Sequence, residues 1–309
     1  MTMARRPGDR AASAPAALLL LPAVLGALAP AGTAVAAPAA EDPASLPKVV
    51  QTLPSERTAC ATPSGKTSAR TPWAQSVLRP DAVWPLSRGE GVLVAVLGSG
   101  VDVRTEALAG RVTASGPGSR GPAGEDCVGH GTLVASLIAA RVPTPTGTTG
   151  AAGAAGAAGA AGAAVPGEVT GFAGIAPRAR ILAVRVTDAL GRTGPGDLAA
   201  GIRAAVDGGA RIIAVAAPAE TGDDALAQAV AYAAGRGVLL VVPATADDAR
   251  GGDGPRPARP ASGPAVLSVA AAGPDGKVAP AAGARVDLAA PGLAMVGAGP
   301  GPSGQVTGG

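Results

Sequence analysis

Short apolar runs alternate with helix-forming segments over residues 91–243, and this alternation constrains the fold more than any other feature of the chain. The helix-forming segments are Asp197–Gly209 and Asp223–Arg236. The strand-like runs are Gly91–Leu97, Ile181–Val186, Arg211–Ala217 and Gly237–Pro243, with Val266–Ala270 and Val286–Gly292 after them. Strands that alternate with helices favour a mostly parallel sheet covered by helices. We therefore expect an α/β domain.

The only histidine of the chain, His130, stands at the start of an apolar segment that ends at Ala140. Gly129 and Gly131 let the backbone and a substrate approach its ring closely. An imidazole titrates near neutral pH, so it can carry a proton in catalysis, and it can equally be a hydrogen-bonded residue of the core. His130 is the candidate proton shuttle.

The segment from Gly129 to Ala140 resembles the histidine motif of the subtilisin-like serine proteases. Gly91–Leu97 followed by Ser99–Asp102 is similar to the strand and turn that carry the acid of their catalytic triad, and Phe172–Pro177 is similar to their next loop. The resemblance continues in order over roughly residues 71–309. It implies a three-layer, subtilisin-like α/β fold with His130 as the catalytic base.

Some details resemble the mycosins, a branch of these proteases associated with type VII secretion in actinobacteria. Residues 71–75 and 83–86 are similar to their N-terminal extension, and Asp126–His130 is similar to their histidine motif with its preceding cysteine. The resemblance implies a disulfide between Cys60 and Cys127, and such a bridge typically contributes a few kcal/mol. It also implies peptide or protein ligands and secretion-system components as partners.

The triad acid of this family is replaced in the present sequence. Where the family has Asp-Ser-Gly or Asp-Thr-Gly, the chain has Gly98, Ser99 and Gly100, so position 98 offers no carboxylate to the imidazole. Asp102 lies four residues further on, and we expect it to point elsewhere. Loss of the acid alone typically costs about 10⁴ in turnover.

Two further family positions are altered. The asparagine that stabilises the oxyanion corresponds to Ala246, or to Asp247 if the alignment slips by one residue, and both lack its amide donor. Loss of one such donor usually costs roughly 10²–10³ in rate. The substrate-pairing strand has Ala216, Ala217 and then Pro218, which lacks an N–H to donate to a bound peptide.

The nucleophile motif of the family is not found before Gly309, where the resemblance implies that a Gly-Thr-Ser sequence and a buried helix should follow. Ser303 lies in a Gly-Pro-Ser-Gly sequence, which predicts a turn and not a helix start. We therefore expect a domain that is incomplete at its C-terminus, with one face of the sheet partly uncovered and no membrane anchor in this chain.

The N-terminus has the pattern of an export signal over residues 1–36, with basic residues, an apolar stretch from Ala16 to Ala29 and an Ala-x-Ala site before Ala37. Residues 37–90 form the expected N-terminal extension, of which residues 37–70 should have little structure apart from the Cys60 tether. Residues 91–309 form the expected peptidase domain. Within it, Ala-Ala-Gly triplets mark residues 143–171 as a low-complexity surface insertion. The sequence predicts an exported, extracytoplasmic protein.

The formal charge of +3 is small, and arginines on helices, such as Arg203, are typical of a solvated face. We expect no nucleic-acid partner, no cofactor and no metal. The 1% aromatic content leaves an alanine-rich core, for which we expect lower stability than usual.

The residues predict a subtilisin-like serine endopeptidase homologue that is catalytically impaired or inactive. The alternative is a non-catalytic protein that binds peptide near Ala216 or supports a secretion complex through its surface. A remote alternative is a dinucleotide-binding turn at Gly98–Gly100, but the third glycine of that pattern is replaced by Val103.

Overall fold

The structure, a computed structural model, describes residues 45–54, 59–68, 70–115, 120–142, 171–246, 256–281 and 283–309. The chain divides into two compact units, Met1–Ala39 and Ala40–Gly309, and every described residue belongs to the second. The predicted export signal, nearly all of the predicted insertion and Asp247 lie outside the described residues.

A seven-stranded parallel sheet forms the centre of the domain, in the order β2-β3-β1-β4-β5-β8-β9. Its strands are β1 (Leu93–Gly98), β2 (Val112–Ala114), β3 (Arg180–Arg185), β4 (Ile212–Val215), β5 (Leu239–Pro243), β8 (Val266–Ala272) and β9 (Leu288–Pro291). Two short antiparallel pairs lie outside it: β6 (Thr245–Ala246) with β7 (Arg256–Pro257), and β10 (Met295–Ala298) with β11 (Gln305–Gly308). The six predicted strands are confirmed, and β2 is an additional short edge strand.

Helices cover both faces of the sheet and make the domain three layers thick. The helices α3 (His130–Ala139), α4 (Pro195–Asp207) and α5 (Asp224–Gly235) follow two short ones, α1 (Trp73–Leu78) and α2 (Pro80–Val83). On one face α4 and α5 bury the larger apolar core, which includes Leu97, Ile202 and Leu240. On the other face α3 packs on β1 and β3. The predicted three-layer α/β fold is confirmed.

At β5 and β8, the face of the sheet that carries α3 is covered less completely than the opposite face. In β5, Leu240 and Val242 are buried under α5, whereas Leu239 is 37% exposed and Val241 is half-buried. Leu267 and Val269 of β8 alternate in the same way and are also half-buried. Parallel sheets normally bury both faces, so the partly exposed apolar side chains of β5 and β8 depart from the usual pattern.

The described part of the N-terminal extension is attached more firmly than the sequence suggested. Val49 and Leu53 are buried, and the N–H of Val49 donates to the carbonyl of Thr307 (2.7 Å) while the N–H of Thr307 donates to Pro47 (2.9 Å). The extension thus adds a bridge to the outer edge of β11. Isolated apolar residues in an Ala/Pro-rich segment gave no periodic signal from which this packing could be predicted.

The β10–β11 hairpin lies across α3, which was not predicted. The N–H of Ala298 donates to Ser136 Oγ (2.9 Å), and Val306 packs against Leu133 and Val49. A Cβ at Gly297 would approach Ser136 Oγ to 2.6 Å and Leu133 Cδ1 to 2.7 Å, so a larger residue would displace both side chains. Among the described helices, none combines the length and apolarity that crossing a bilayer requires.

Candidate active site

The carboxyl ends of β1 and β4 meet the first turn of α3, which begins at His130. A Cβ at Gly98 would lie 3.3 Å from the Cβ of Ala216 and 3.8 Å from the Cα of Gly131. A side chain at position 98 would therefore enter the gap between Ala216, which directly follows β4, and the start of α3. The fold thus brings three of the sequence-predicted positions, 98, 130 and 216, to one place.

Asp126 holds the first turn of α3. One carboxylate oxygen accepts the N–H of Gly129 (2.7 Å), and the other accepts the N–H and the hydroxyl of Thr132 (2.7 Å each). These N–H groups have no partner within the helix, so the carboxylate satisfies them. Burial raises the pKa of Asp126, and the hydrogen bonds from Thr132 and Gly129 oppose that shift. The carboxylate fixes the helix start on which His130 lies.

The loop after β1 and the start of α3 pack so closely that glycine is required on each side, at Gly100 and at Gly131. A Cβ at Gly131 would approach the carbonyl oxygen of Gly100 to 2.0 Å, and Gly100 itself has a φ of +106°. The N–H of Gly131 donates to Ser99 Oγ at 3.0 Å. The loop after β1 and the start of α3 therefore touch through their backbones, which explains why glycine stands at positions 100 and 131.

Asp102 is engaged away from position 98, in agreement with the expectation. Its carboxylate accepts hydrogen bonds from the Arg104 guanidinium (2.9 and 2.8 Å) and from the N–H of Gly301 (2.8 Å). Burial on its own would raise the pKa of Asp102, but these bonds outweigh it and hold the pKa below the ordinary value. Asp102 thus ties the loop after β1 to the loop between β10 and β11.

The predicted peptide-pairing strand uses its N–H groups within the chain. Those of Ala216 and Ala217 donate to the carbonyl of Leu97 (2.8 and 3.1 Å), and both residues are buried. Ala219 exchanges two backbone hydrogen bonds with Arg259 (3.2 and 2.8 Å). An added peptide strand would have to use carbonyl groups here, since these three N–H donors are already satisfied.

The candidate oxyanion position Ala246 is the second residue of β6 and is 3% exposed. Its methyl group belongs to the core that α4 and α5 cover. Because an alanine has no polar side-chain group, this position offers no side-chain donor to an oxyanion. Ser303 lies exposed in the connection between β10 and β11, in agreement with the predicted turn. Where the structure describes the chain, no three side chains of His, Cys, Asp or Glu are grouped so that they could hold a metal ion.

The predicted disulfide between Cys60 and Cys127 is present, and it joins the extension to the loop before α3. Beside it lies a cavity of about 470 Å³, lined in part by Asp102, Arg104 and Glu125. The N–H of Ala61 donates to the carbonyl of Cys127 (2.8 Å), so the extension contacts the loop that leads into α3.

Sequence reasoning missed the role of Asp126 and Thr132 in fixing α3. The available signal was an aspartate placed three residues before Gly129, the residue that precedes the helix, since acidic side chains are favoured at helix N-termini. The dinucleotide-binding alternative requires a glycine-rich loop that opens into a helix. Here the loop after β1 leads instead to a 3₁₀ turn at Glu106–Leu108 and then to β2.

Comparison with known proteins agrees with this geometry. The family model described as the subtilase family, peptidase S8, matches residues 89–307. Thermitase of Thermoactinomyces vulgaris is 32% identical over 178 residues, which cover 57% of this chain and 55% of thermitase. Mycosin-3 of Mycobacterium tuberculosis is 33% identical over 228 residues, which cover 66% of this chain and 43% of mycosin-3. The chain thus spans about half the length of these curated relatives.

Among solved structures, similarity extends to the serine protease MycP1, described as an essential component of the type VII (ESX-1) secretion system. It has a TM-score of 0.58 and 27% identity, over 86% of this chain and 78% of MycP1. The parallel sheet flanked by helices and the family match over residues 89–307 agree with each other. The chain therefore belongs to the subtilase family of serine proteases.

Proposed function

We propose that this chain is an exported, mycosin-like subtilase homologue that hydrolyses peptide bonds at most at a trace rate. The observation that carries the proposal is the direction in which a side chain at position 98 would point. A side chain there would enter the gap beside Gly131 and Ala216, and glycine places no carboxylate in it. The nearest acid along the chain, Asp102, is held by Arg104 and Gly301.

The magnitude of the loss supports the same conclusion. Removal of the acid from a serine triad costs about 10⁴ in turnover. If Ala246 stands at the oxyanion position, the missing amide donor costs roughly a further 10²–10³. Rate enhancements of many enzymes lie within 10⁶–10¹⁷, so two such losses remove a large part of the catalysis.

Export and association with a secretion system are proposed from different observations. The relatives include mycosins, and MycP1 is described as part of a type VII secretion system. The Cys60–Cys127 disulfide supports an oxidising compartment, because disulfides persist mainly outside the cytosol. In this proposal the protein acts by binding a peptide or protein ligand, or by contacting secretion components through its surface.

An active endopeptidase is the second candidate, and His130 at the start of a firmly held helix favours it. In that case a serine hydroxyl would attack the peptide carbonyl, and His130 would take its proton and return it to the leaving amine. The two candidates differ in whether any serine of the protein is activated.

A fluorophosphonate probe, which labels only activated serines, distinguishes these candidates. We expect no labelling of the full chain and no cleavage of casein above the rate of a His130→Ala variant. Gly98→Asp restores the acid, and Gly98→Ala is its matched control because a Cβ at that position meets only Ala216 closely. Labelling of the unmodified chain, or cleavage of casein by it above the rate of His130→Ala, would refute the proposed inactivity. Cleavage that increases in Gly98→Asp but not in Gly98→Ala would instead support the missing acid as its cause.

A further inference from the structure

Arginines line the amino edge of the sheet, opposite the edge where α3 begins. Arg111 precedes β2, Arg180 begins β3, Arg211 precedes β4, and Arg236 directly follows α5 in the turn that leads into β5. The N–H of Arg180 donates to Val92, just before β1, at 2.9 Å. Adjacent strands are about 4.8 Å apart, so the four arginines form a row roughly 19 Å long across five neighbouring strands.

Further arginines join this row because the chain returns to the same edge. Arg141 follows the last turn of α3, and the N–H of Arg178 donates to the carbonyl of Arg88 at 2.9 Å, near the start of β1. Burial lowers the pKa of Arg111, and the charges of Arg141 and Arg178 lower it further. These guanidinium groups are thus close enough to repel one another.

Few carboxylates neutralise the row. Among the described residues along it, Glu90 pairs with Arg178 at 3.1 Å, and Asp207 accepts the hydroxyl of Tyr232. Arg236 lies over the ring of Tyr232, 4.9 Å from its centroid. The positive charges therefore outnumber the negative ones along this edge, and this excess favours an anionic partner.

Exposed apolar side chains border the same edge. Leu86, two residues before Arg88, is 87% exposed, and Ile175, three residues before Arg178, is 44% exposed. The indole N–H of Trp84 donates to the carbonyl of Ile175 at 2.8 Å, which joins these two segments. Aliphatic side chains gain nothing from a nucleic-acid backbone, whereas they insert readily at the boundary of lipid headgroups and acyl chains.

We propose that the amino edge of the sheet is a docking surface for an anionic lipid bilayer. The row of guanidinium groups binds phosphodiester headgroups, while Leu86 and Ile175 enter the interfacial region. A row of charges along the end of a sheet can contact an extended surface, and this orientation leaves the carboxyl edge with His130 turned away from the membrane. In sequence order these arginines are dispersed, and only the fold gathers them.

Vesicle co-sedimentation of the full chain tests this surface. The vesicles contain phosphatidylcholine alone or with phosphatidylglycerol, at low and at high salt. The partition coefficient for vesicles with phosphatidylglycerol, divided by that for phosphatidylcholine alone, gives the electrostatic contribution to membrane binding. We expect a preference for phosphatidylglycerol that declines with salt. In the Arg180→Gln/Arg211→Gln variant this preference should fall by about 25-fold, since each arginine near an anionic surface contributes roughly 5-fold.

The matched control is Arg120→Gln/Arg192→Gln, which removes the same charge from the carboxyl edge, where Arg120 and Arg192 pair with Asp197 and Asp188. We expect this variant to bind like the unmodified chain. Leu86→Ser should weaken the binding that persists at high salt. Far-ultraviolet circular dichroism verifies that each variant is folded.

Three results would overturn the proposal. An equal loss in the control variant would mean that net charge, and not this edge, drives binding. Equal binding to both kinds of vesicle would exclude the arginine row. Tight binding of heparin or duplex DNA without binding of phosphatidylglycerol vesicles would assign the edge to a soluble polyanion.

Discussion

Replacing Asp126 with alanine should destabilise the domain strongly, because it removes the acceptor of three hydrogen bonds at the start of α3. The donors are the N–H of Gly129 and the N–H and hydroxyl of Thr132, each at 2.7 Å. All three lie at buried residues. An unsatisfied buried donor costs about 1–3 kcal/mol, and partial access of water reduces the sum, so we expect a loss of about 4 kcal/mol.

Further variants at Asp126 and Thr132 test the expected loss in the free energy of unfolding. Asp126→Asn keeps one acceptor oxygen, so about 2 kcal/mol should be lost. Thr132→Val removes the bond to Asp126 and the acceptor of the Asp102 N–H (3.0 Å), which should also cost about 2 kcal/mol. Thr132→Ser keeps the hydroxyl and is the matched control, with an expected loss below about 1 kcal/mol.

Urea unfolding at neutral pH, followed by circular dichroism, measures these differences in the free energy of unfolding. Domains are typically stable by only about 5–15 kcal/mol, so the alanine variant should unfold at a much lower urea concentration. If Asp126→Ala loses less than about 1 kcal/mol, or if Thr132→Ser costs as much as Thr132→Val, the carboxylate does not hold the helix and the reasoning is wrong.

The free energy of unfolding of the Cys60→Ser/Cys127→Ser variant should be lower by about 4 kcal/mol in the same assay, because the disulfide closes a loop of 67 residues in the unfolded chain. Reduction of the unmodified chain should give the same loss. A change below about 1 kcal/mol would contradict this account. Asp102→Asn should cost about 2 kcal/mol at neutral pH. Because the pKa of Asp102 lies below its ordinary 3.8 when folded, its stabilisation is complete above that pH and declines as the pH falls through the lowered pKa. The difference in the free energy of unfolding between Asp102→Asn and the unmodified chain should therefore become smaller in acid. A difference that grows in acid would show that the pKa of Asp102 is not lowered in the folded chain.

The order of strands and helices could be predicted from the sequence because each element carries its own local signal. Gly91–Leu97 is apolar throughout, as a strand buried on both faces requires, and Asp223 caps α5 through a bond from the N–H of Leu226 (2.8 Å). Boundaries shifted by only a few residues, since Pro195 at the first turn, and not Asp197, begins α4.

The contacts around the site could not be predicted to the same extent, because they join residues far apart in the chain. Asp102 meets Gly301 across 199 residues, and Val49 reaches Thr307 at the opposite terminus of the domain. Neither contact has a pattern in the sequence around either partner. The His130 motif was recognisable because its glycines serve a local close approach, whereas the amino-edge arginines become neighbours only after the sheet is assembled.

The partly covered face of β5 and β8 has a consequence for the temperature dependence of stability. The heat-capacity change of unfolding grows with the apolar area that becomes hydrated, and Leu239, Leu267 and Val269 are already partly hydrated in the native state. The chain should therefore have a smaller heat-capacity change than a fully covered domain of equal length. Its stability curve would be slightly flatter than that of the fully covered domain, so its stability would fall a little less steeply on either side of the maximum.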